Sequence, residues 1–392
     1  MDEKKKKRIL IFSLAYHPFV GGAEIAIKEI TDRVSDISFD VITLLLDSAN
    51  PAFEQMGNVS VYRVGFAKRA PSMKDLVSFP WYLMKVFYPL LACVKACTLH
   101  REKKYDAVWA IMAYAGFAAV LFRWKYSEVP YILTLQEGDS IKHITKRWRM
   151  FFVRPLLNRV FRTPFVVQTI SSYLGEFAKS MGYKGQIEII PNGVDIKKFI
   201  SAHIRSDIKK SDSVVKIITT SRLVYKNAVD DIIRALALLP KECVLEIVGS
   251  GPNEKTLRYI ARNLDLGDRV IFAGEVKHEQ IPTYLHQADI FVRPSRSEGM
   301  GNSFIEAMAA GLPVIATPVG GITDFLKDGE TGLFCEVNNP ESVAAQVKRL
   351  MGDKALREKI SANARAMVEE KYDWNIIAKQ MKEKVFEQVL KS

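Results

Sequence analysis

Short apolar runs rich in β-branched residues alternate with amphipathic helical patterns along almost the whole chain. This alternation predicts parallel α/β layers, because each buried parallel strand must be followed by a helix that crosses back over the sheet. Seven predicted strands lie in the first half, at residues 8–16, 39–46, 59–65, 107–112, 131–136, 165–170 and 187–193. Six more lie in the second half, at residues 214–223, 243–251, 269–274, 289–295, 313–317 and 332–337.

A polar segment without clear periodicity, residues 194–213, separates the two sets of strands. With 392 residues the chain is longer than one hydrophobic core usually supports. We therefore predict an N-terminal domain over residues 1–193 and a C-terminal domain over residues 194–371. Residues 372–392 have an amphipathic pattern, which predicts a helix that crosses back to the first domain.

The composition is that of a globular protein, with 48% hydrophobic and 26% charged residues. The uncharged run at residues 107–122 is shorter than the roughly 20 residues that a spanning helix needs. The apolar run after the basic N-terminus is short and lacks a small-residue cleavage site, which favours a cytoplasmic first strand over a signal peptide. The cysteines have no metal-ligand spacing, so neither a metal site nor a disulfide framework is expected.

Positive charge is concentrated in the first half of the chain. The formal net charge is +12, and residues 1–195 hold 27 Lys and Arg against 18 Asp and Glu. No nucleic-acid recognition motif accompanies this charge, so nucleic acid is not an expected partner. In residues 79–104 and 142–162 the basic side chains are interleaved with large apolar ones. Such segments are either core helices with solvated cations or helices lying on an anionic membrane surface, and the pattern leaves both open.

The stretch SRSEGMGNSFIEAMAAG, residues 295–311, places Glu298 and Glu306 eight positions apart. Two glycines in three positions argue against helix next to the first glutamate. Ser303 followed by Glu306 fits a capping box, which predicts a helix from Ser303 to Gly311. The free amides at this helix start would bind an anion such as phosphate. The alternative is that Glu306 only caps the helix and that Glu298 is a solvated loop acid.

Other candidate residues follow other predicted strands, where open parallel sheets bind their ligands. After the first strand, the turn at Gly22 would let backbone amides approach a phosphate, although a plain tight turn explains it equally well. After the strand KIITT, Arg222 and Lys226 place a planar fork and a point charge suited to phosphate oxygens. Solvated surface cations are the alternative for this pair.

The segments YHPFVGGAE, IPNGVD, SRLVYKNAVDDI and SEGMGNSFIEAMAAGLPVIATPVGG, in this order, resemble the retaining glycosyltransferases of family 4. That family has the GT-B fold, in which two Rossmann-like, doubly wound domains face an interdomain cleft. Its signature is a glutamate, seven residues and a second glutamate, which Glu298 and Glu306 match. The resemblance is strong over residues 190–332 and weaker in the first half.

The resemblance implies that Glu306 binds the ribose of a nucleotide-diphosphate sugar and that Glu298 holds the sugar hydroxyls. Arg222 and a following lysine would neutralise the leaving diphosphate, and fixed cations lower the barrier where such charge develops. The other implied donor contacts are amides at the helix start, a glycine of the first domain and the surroundings of the base: Met300, Gly301, Asn302, Ser303, Gly22 and Val276.

Two positions depart from the family pattern. The commoner lysine stands five residues after the arginine, where this chain has Asn227, and we expect Lys226 to replace it. The family often has a histidine after the fifth strand, where this chain has Gln136. The following Glu137 is either a contact to acceptor or sugar, or a structural loop acid.

The resemblance implies transfer of a hexose, with retention, from a UDP- or GDP-type sugar to a glycan or lipid-linked acceptor in cell-envelope or exopolysaccharide synthesis. It implies no metal or other cofactor, because family members usually work without one and no Asp-x-Asp motif is present. The expected location is the cytoplasm, with peripheral contact to an anionic membrane. A synthase with a small soluble acceptor and a non-catalytic nucleotide-sugar-binding or scaffold protein are the alternatives, and the oligomeric state stays open.

Overall fold

The computed structural model describes residues 6–19, 21–67, 79, 81–137, 150–200 and 214–391. The chain divides into two compact units. Unit 1 contains the described residues up to 137, from 150 to 192 and from 374 onward, and unit 2 contains those from 193 to 373. Most of the predicted linker, residues 201–213, lies outside the described residues, as do residues 142–149 of the second basic segment.

Unit 1 is built on an eight-stranded sheet. Its strands are β1 Lys7–Phe12, β2 Ile37–Leu44, β3 Phe53–Met56, β4 Val59–Val64, β5 Ala107–Ile111, β6 Tyr131–Leu135, β7 Val166–Thr169 and β8 Gln186–Ile189. They are ordered β3-β4-β2-β1-β5-β6-β7-β8, and every neighbouring pair is parallel except the β3–β4 hairpin. The seven predicted strands are all present. Strand β3 was not predicted, because its sequence FEQM lacks an apolar run.

Seven helices belong to unit 1, and they are α1 Gly22–Arg33, α2 Trp81–Lys103, α3 Met112–Arg123, α4 Met150–Arg162, α5 Ser172–Ser180, α13 Trp374–Met381 and α14 Glu387–Lys391. A single π-helical turn, Lys382–Phe386, joins the last two. Helix α3 lies between α2 and α4 and contacts both. The seven helices are those of the described part of this unit.

The segment after residue 373 completes the hydrophobic core of unit 1. Helix α13 packs against α1. The Phe386 ring lies 5.8 Å from the Phe39 ring and 5.1 Å from the Trp109 ring, centroid to centroid. Trp374 is buried in the same cluster. The core of this unit is therefore assembled from residues at opposite ends of the sequence.

Unit 2 is built on a six-stranded sheet that is parallel throughout. Its strands are β9 Val215–Thr220, β10 Cys243–Val248, β11 Val270–Gly274, β12 Ile290–Arg293, β13 Val314–Ala316 and β14 Leu333–Phe334. Their order is β11-β10-β9-β12-β13-β14. All six predicted strands are present, and each is shorter than its predicted run; all except β11 end before the run does, because the last residues of the run form the turn beyond the strand.

The described helices of unit 2 are α6 Ile196–Ile200, α7 Val229–Ala237, α8 Glu254–Asn263, α9 Ile281–His286, α10 Asn302–Ala309, α11 Pro340–Gly352 and α12 Lys354–Lys371. Short 3₁₀ turns follow three of the strands, at Tyr225–Asn227, His278–Gln280 and Gly320–Asp324. The strand order changes direction between β9 and β12. Open parallel sheets bind ligands at such a point, because the loops on the two sides diverge there.

Candidate active site

The carboxyl ends of β9 and β12 bring together the candidate residues of unit 2. Arg222 lies two residues after β9, and Arg293 is the last residue of β12. The loop that follows β12 carries Glu298 to the start of α10, and Glu306 lies in the second turn of that helix. The two glutamates of the family signature therefore lie on either side of one helix N-terminus.

Helix α10 begins at Asn302, and its N-cap residue is Gly301, with a φ of 87°. The predicted capping box of Ser303 and Glu306 is therefore wrong. A methyl group on Gly301 would lie 2.6 Å from the Phe304 ring, so backbone conformation and packing both require glycine at this cap. Because the cap is a glycine, the Ser303 hydroxyl and the Glu306 carboxylate have other partners.

Glu298 is buried, with only 8% of its surface exposed. Its Oε2 pairs with Arg293 Nη2, and its Oε1 accepts a hydrogen bond from the Gly299 N–H at 3.1 Å. Its backbone carbonyl accepts from the Gly321 N–H at 3.3 Å. These contacts exclude the alternative in which Glu298 is a solvated loop acid.

The glycine turn after β13 packs directly against the backbone of Glu298. Gly320 has a φ of 56°, and a methyl group on it would lie 1.8 Å from the Glu298 carbonyl oxygen. A side chain at this position would meet both the left-handed backbone conformation and the carbonyl. The turn therefore fixes the position of the Glu298 backbone.

Arg293 is one of the residues at this site that the sequence analysis missed. Its Nη1 donates to Ser303 Oγ at 2.5 Å, its Nε donates to Ser295 Oγ at 3.2 Å, and its third nitrogen pairs with Glu298. Burial lowers the pKa of Arg293 to about 10, while the negative charge of Glu306 acts in the opposite direction. A basic residue within the buried strand IFVR was the available signal, since such a charge requires a partner.

Glu306 is held by a histidine in this structure. His278 Nε2 lies 2.8 Å from Glu306 Oε1, and the His278 ring contacts the Phe199 ring at 6.2 Å between centroids. The hydrogen bond to Glu306 raises the pKa of His278. One oxygen of the carboxylate that the resemblance assigns to ribose binding is thus in contact with a histidine side chain.

The turn after β9 places the two predicted cations differently. Arg222 is exposed, whereas Lys226 is half-buried within the 3₁₀ turn. The side chain of Asn227 is buried, and its Nδ2 donates to the Arg222 carbonyl at 2.7 Å. The position of the commoner lysine is therefore filled by a side chain that shapes the turn, while Lys226 supplies a cation one residue earlier.

A second arginine that sequence analysis missed, Arg296, joins this turn to the loop after β12. Its backbone N–H donates to the Lys226 carbonyl at 2.7 Å, and its Nη1 donates to the Tyr225 carbonyl at 2.7 Å. Its guanidinium also donates to both carboxylate oxygens of Asp230, each at 2.9 Å, and to one carboxylate oxygen of Asp231 at 3.0 Å. This clamp fixes the loop of Lys226 relative to the loop of Glu298.

The remaining candidates of unit 2 lie around the same sheet edge. Val276 is half-buried and lies two residues after β11 and two residues before the turn that begins at His278. Met300 is buried, and Asn302 opens α10. The roles of these residues toward a nucleotide sugar stay predictions.

In unit 1, Gly22 is the first residue of α1. The N–H of Gly21 donates to the Glu24 carboxylate at 2.8 Å. A carboxylate of the chain thus occupies an amide at the start of this helix, where a phosphate was expected. The predicted contact of Gly22 with a diphosphate stays a prediction.

Gln136 and Glu137, which follow β6, both contact neighbouring groups of unit 1. Gln136 Oε1 accepts from Asn192 Nδ2 at 3.1 Å, which joins two of the sequence segments singled out above. Glu137 is buried, and its Oε1 accepts from the Ala113 N–H at 2.6 Å, in the first turn of α3. These contacts favour a structural role for Glu137 over a contact with the acceptor or the sugar.

Within the described parts of both units, no group of three or more His, Cys, Asp and Glu side chains is arranged to hold a metal ion. The charges around the candidate site are instead those of Arg222, Lys226 and Arg293 and of the two glutamates. This arrangement can bind the hydroxyl groups of a sugar and the anionic oxygens of a diphosphate.

Two Rossmann-like units, one with two glutamates at a helix start on its switch point, define a nucleotide-sugar glycosyltransferase of the GT-B class. The profile "Glycosyl transferases group 1" matches residues 201–367, and the profile "Glycosyl transferase 4-like domain" matches residues 21–193. An uncharacterized glycosyltransferase of Methanocaldococcus jannaschii is 32% identical over 95% of this chain and 96% of its own. The chain therefore belongs to the glycosyltransferase family that these two profiles describe.

Relatives with described activities include a GDP-mannose-dependent alpha-(1-6)-phosphatidylinositol monomannoside mannosyltransferase of Mycobacterium tuberculosis. It is 27% identical over 95% of this chain and 97% of its own. Among solved structures, sucrose-phosphate synthase from Thermosynechococcus elongatus superposes with a TM-score of 0.84, at 21% identity over 98% of this chain and 100% of its own. Anabaena HepE in complex with UDP-glucose superposes with a TM-score of 0.77, at 21% identity over 97% and 99%. These structures share the fold with this chain.

Proposed function

We propose that the protein is a retaining hexosyltransferase that uses a GDP- or UDP-activated hexose and glycosylates a lipid-linked acceptor of the cell envelope. The observation that carries this proposal is the placement of Glu298 and Glu306 on either side of one helix N-terminus, both acting on the charge of Arg293. GDP-mannose is the first donor to test, because a relative of nearly equal length is described as using it.

In the proposed reaction, the bond between the anomeric carbon and the phosphate oxygen breaks, and its electron pair stays on the leaving diphosphate. Arg222, Lys226 and the amides at the start of α10 would stabilise the charge that builds up there. Glu298 would accept hydrogen bonds from the sugar hydroxyls, and Glu306 would release His278 to bind the ribose. The acceptor oxygen bonds to the same face of the anomeric carbon, and its proton passes to the leaving phosphate.

The first test is donor use by the purified full chain. GDP or UDP, whichever belongs to the true donor, should raise the melting temperature, because a ligand that binds the folded state stabilises it. Replacing Arg222, Lys226 or Glu298 singly with alanine removes a charge-assisted contact worth about 1.5–3 kcal/mol, which predicts about 10- to 150-fold slower turnover. Lys241→Ala is the matched control, since this exposed lysine precedes β10 at the opposite edge of the sheet.

Near-normal turnover in all three variants would contradict the assignment of the site. Retention is tested separately by NMR of the product. An α-linked donor should give an α-linked product, and a β-linked product would contradict retention.

Helix α2 supports a lipid surface as the place of the acceptor. Its inner stripe is buried, but the outer face carries large apolar side chains that are 37–69% exposed: Tyr82, Leu83, Val86, Phe87, Leu90, Leu91 and Val94. By length and composition, residues Tyr82–Lys103 could also span a membrane, and only 28% of the most apolar window is buried in the protein. An exposed apolar face of this length marks a contact surface.

The charges on α2 favour an anionic lipid surface over a protein partner as the occupant of this face. Lys85 lies exposed within the apolar face, and Arg101 and Lys104 are exposed beyond its carboxyl end. The first acidic residue of the helix is Glu102. Residues 81–101, which carry the apolar face, thus include basic side chains and no acidic one, which matches the acyl boundary and headgroups of an anionic membrane.

The membrane contact is tested with the variant L90E/V94E, whose two side chains are exposed, so that folding should not change. The wild type should sediment with phosphatidylglycerol vesicles, and the variant should bind at least about tenfold more weakly because its apolar contact is lost. Tyr259→Glu is the control, since Tyr259 is equally exposed but lies in unit 2. A wild type that stays in the supernatant, or a dimer that the variant dissociates, would contradict the proposal.

A further inference from the structure

The guanidinium of Arg293 connects the two ends of the loop that carries Glu298. It stands at the end of β12, where it contacts Ser295 Oγ at 3.2 Å and Glu298. On its other side it reaches Ser303 Oγ, at 2.5 Å, in the first turn of α10. The Phe304 ring covers its face at 4.7 Å. One side chain thus links the strand, the glutamate and the helix start.

The burial of Arg293 and Glu298 does not by itself favour the folded state, which suggests a role at the site. Arg293 and Glu298 are 7% and 8% exposed, and a buried ion pair is seldom more stable than apolar residues of the same volume. With a pKa of about 10, Arg293 is still protonated at neutral pH. The end of β12 therefore holds a permanent positive charge next to the first glutamate of the signature, within electrostatic reach of Glu306.

We propose that Arg293 is a positioning residue that holds Glu298 in the orientation needed for the donor sugar. The guanidinium holds Oε2 of Glu298, and the Gly299 amide holds Oε1, so the plane of the carboxylate is fixed from both sides. Each carboxylate oxygen keeps a further lone pair that can accept a hydrogen bond from a sugar hydroxyl. A carboxylate already fixed in place needs no reorientation when the transition state forms.

In this role Arg293 acts through Glu298 and does not touch the substrate. The inference rests on the proposed function, because the sugar is the ligand that Glu298 would bind. A merely structural arginine would stabilise the whole nucleotide site. A positioning arginine would affect only the ligand that carries the sugar. The two roles therefore separate in measurements with a nucleoside diphosphate alone and with the complete nucleotide sugar.

The experiment compares R293K, R293M, E298Q and the double variant R293M/E298Q with the wild type. We expect R293M to lower kcat/KM for the donor about 10- to 150-fold, the effect of losing one charge-assisted contact. Binding of GDP or UDP alone should stay within about threefold of the wild type, and R293K should recover part of the loss. The double variant should be no worse than E298Q, because two residues that act as one unit are not additive.

The double variant also covers the case in which R293M does not fold, since it removes both buried charges and leaves no carboxylate without a partner. A folded R293M with wild-type kcat and KM would overturn the inference. So would an equal loss of binding for the plain nucleoside diphosphate, or a double variant about tenfold or more below E298Q. A wild type that turns over no nucleotide sugar would instead contradict the proposed function itself.

Discussion

Gly320→Ala tests whether the backbone of Glu298 has to stand where the structure places it. The added methyl group would lie 1.8 Å from the Glu298 carbonyl oxygen, whereas real contacts of this kind are essentially never under 3.0 Å. The carbonyl and the turn must therefore separate by about 1 Å, and a misplacement of that size at a reacting site costs on the order of 100-fold in rate. We expect kcat/KM for the donor to fall by about this factor.

The control for this prediction is Gly329→Ala. Gly329 has a φ of 70°, similar to the 56° of Gly320, but a methyl group on it would meet no atom within 4 Å. Both variants lose about 1–2 kcal/mol of stability from the left-handed backbone, but only Gly320→Ala should lose turnover. The assays are thermal unfolding and donor turnover. A folded Gly320→Ala variant with kcat/KM within threefold of the wild type would refute the reasoning.

Two further predictions concern the turn after β9 and the histidine on Glu306. Lys226→Ala should slow turnover about 10- to 150-fold at unchanged stability. Asn227→Ala should instead lower the free energy of unfolding by about 1–3 kcal/mol, because the Arg222 carbonyl loses its buried donor. The opposite pattern would assign the catalytic role to Asn227. Because its folded-state pKa is raised, His278 stabilises the protein below its unfolded pKa of about 6.5 and ceases to do so as pH rises through the folded value. Nucleotide affinity relative to His278→Ala should therefore be weakest at low pH and rise with pH, and equal pH profiles for the two proteins would exclude a contact that competes with the ribose.

The strands were predictable because parallel strands buried on both faces appear as continuous apolar runs. The ends of the strands were less predictable. The predicted runs extended to residues 223 and 295, whereas β9 ends at Thr220 and β12 ends at Arg293. Strand β3 is held by its hairpin with β4, and an exposed edge strand needs no apolar run of its own.

The prediction for the candidate site was wrong in one local contact, the capping box, and it missed Arg293 and Arg296. Sequence alone could not show that Gly301 adopts a positive φ, and this conformation is what removes Ser303 from the cap position. It also could not identify the partners of Arg293, because the partner of a buried charge is set by tertiary packing. The contacts that were missed join Ser303 to Arg293, 10 positions away, and Glu306 to His278, 28 positions away.

The aromatic contacts of Phe386 with Phe39 and Trp109 bear on the order in which the chain folds during synthesis. Unit 2 is continuous over residues 193–373, so every part of its core has been made before residue 374 is added. The sheet of unit 1 is translated earlier, yet one side of its core lacks a cover until residues 374–391 follow. The first domain to be translated is thus the last that can finish folding, and it is the one that depends on protection from aggregation in the meantime.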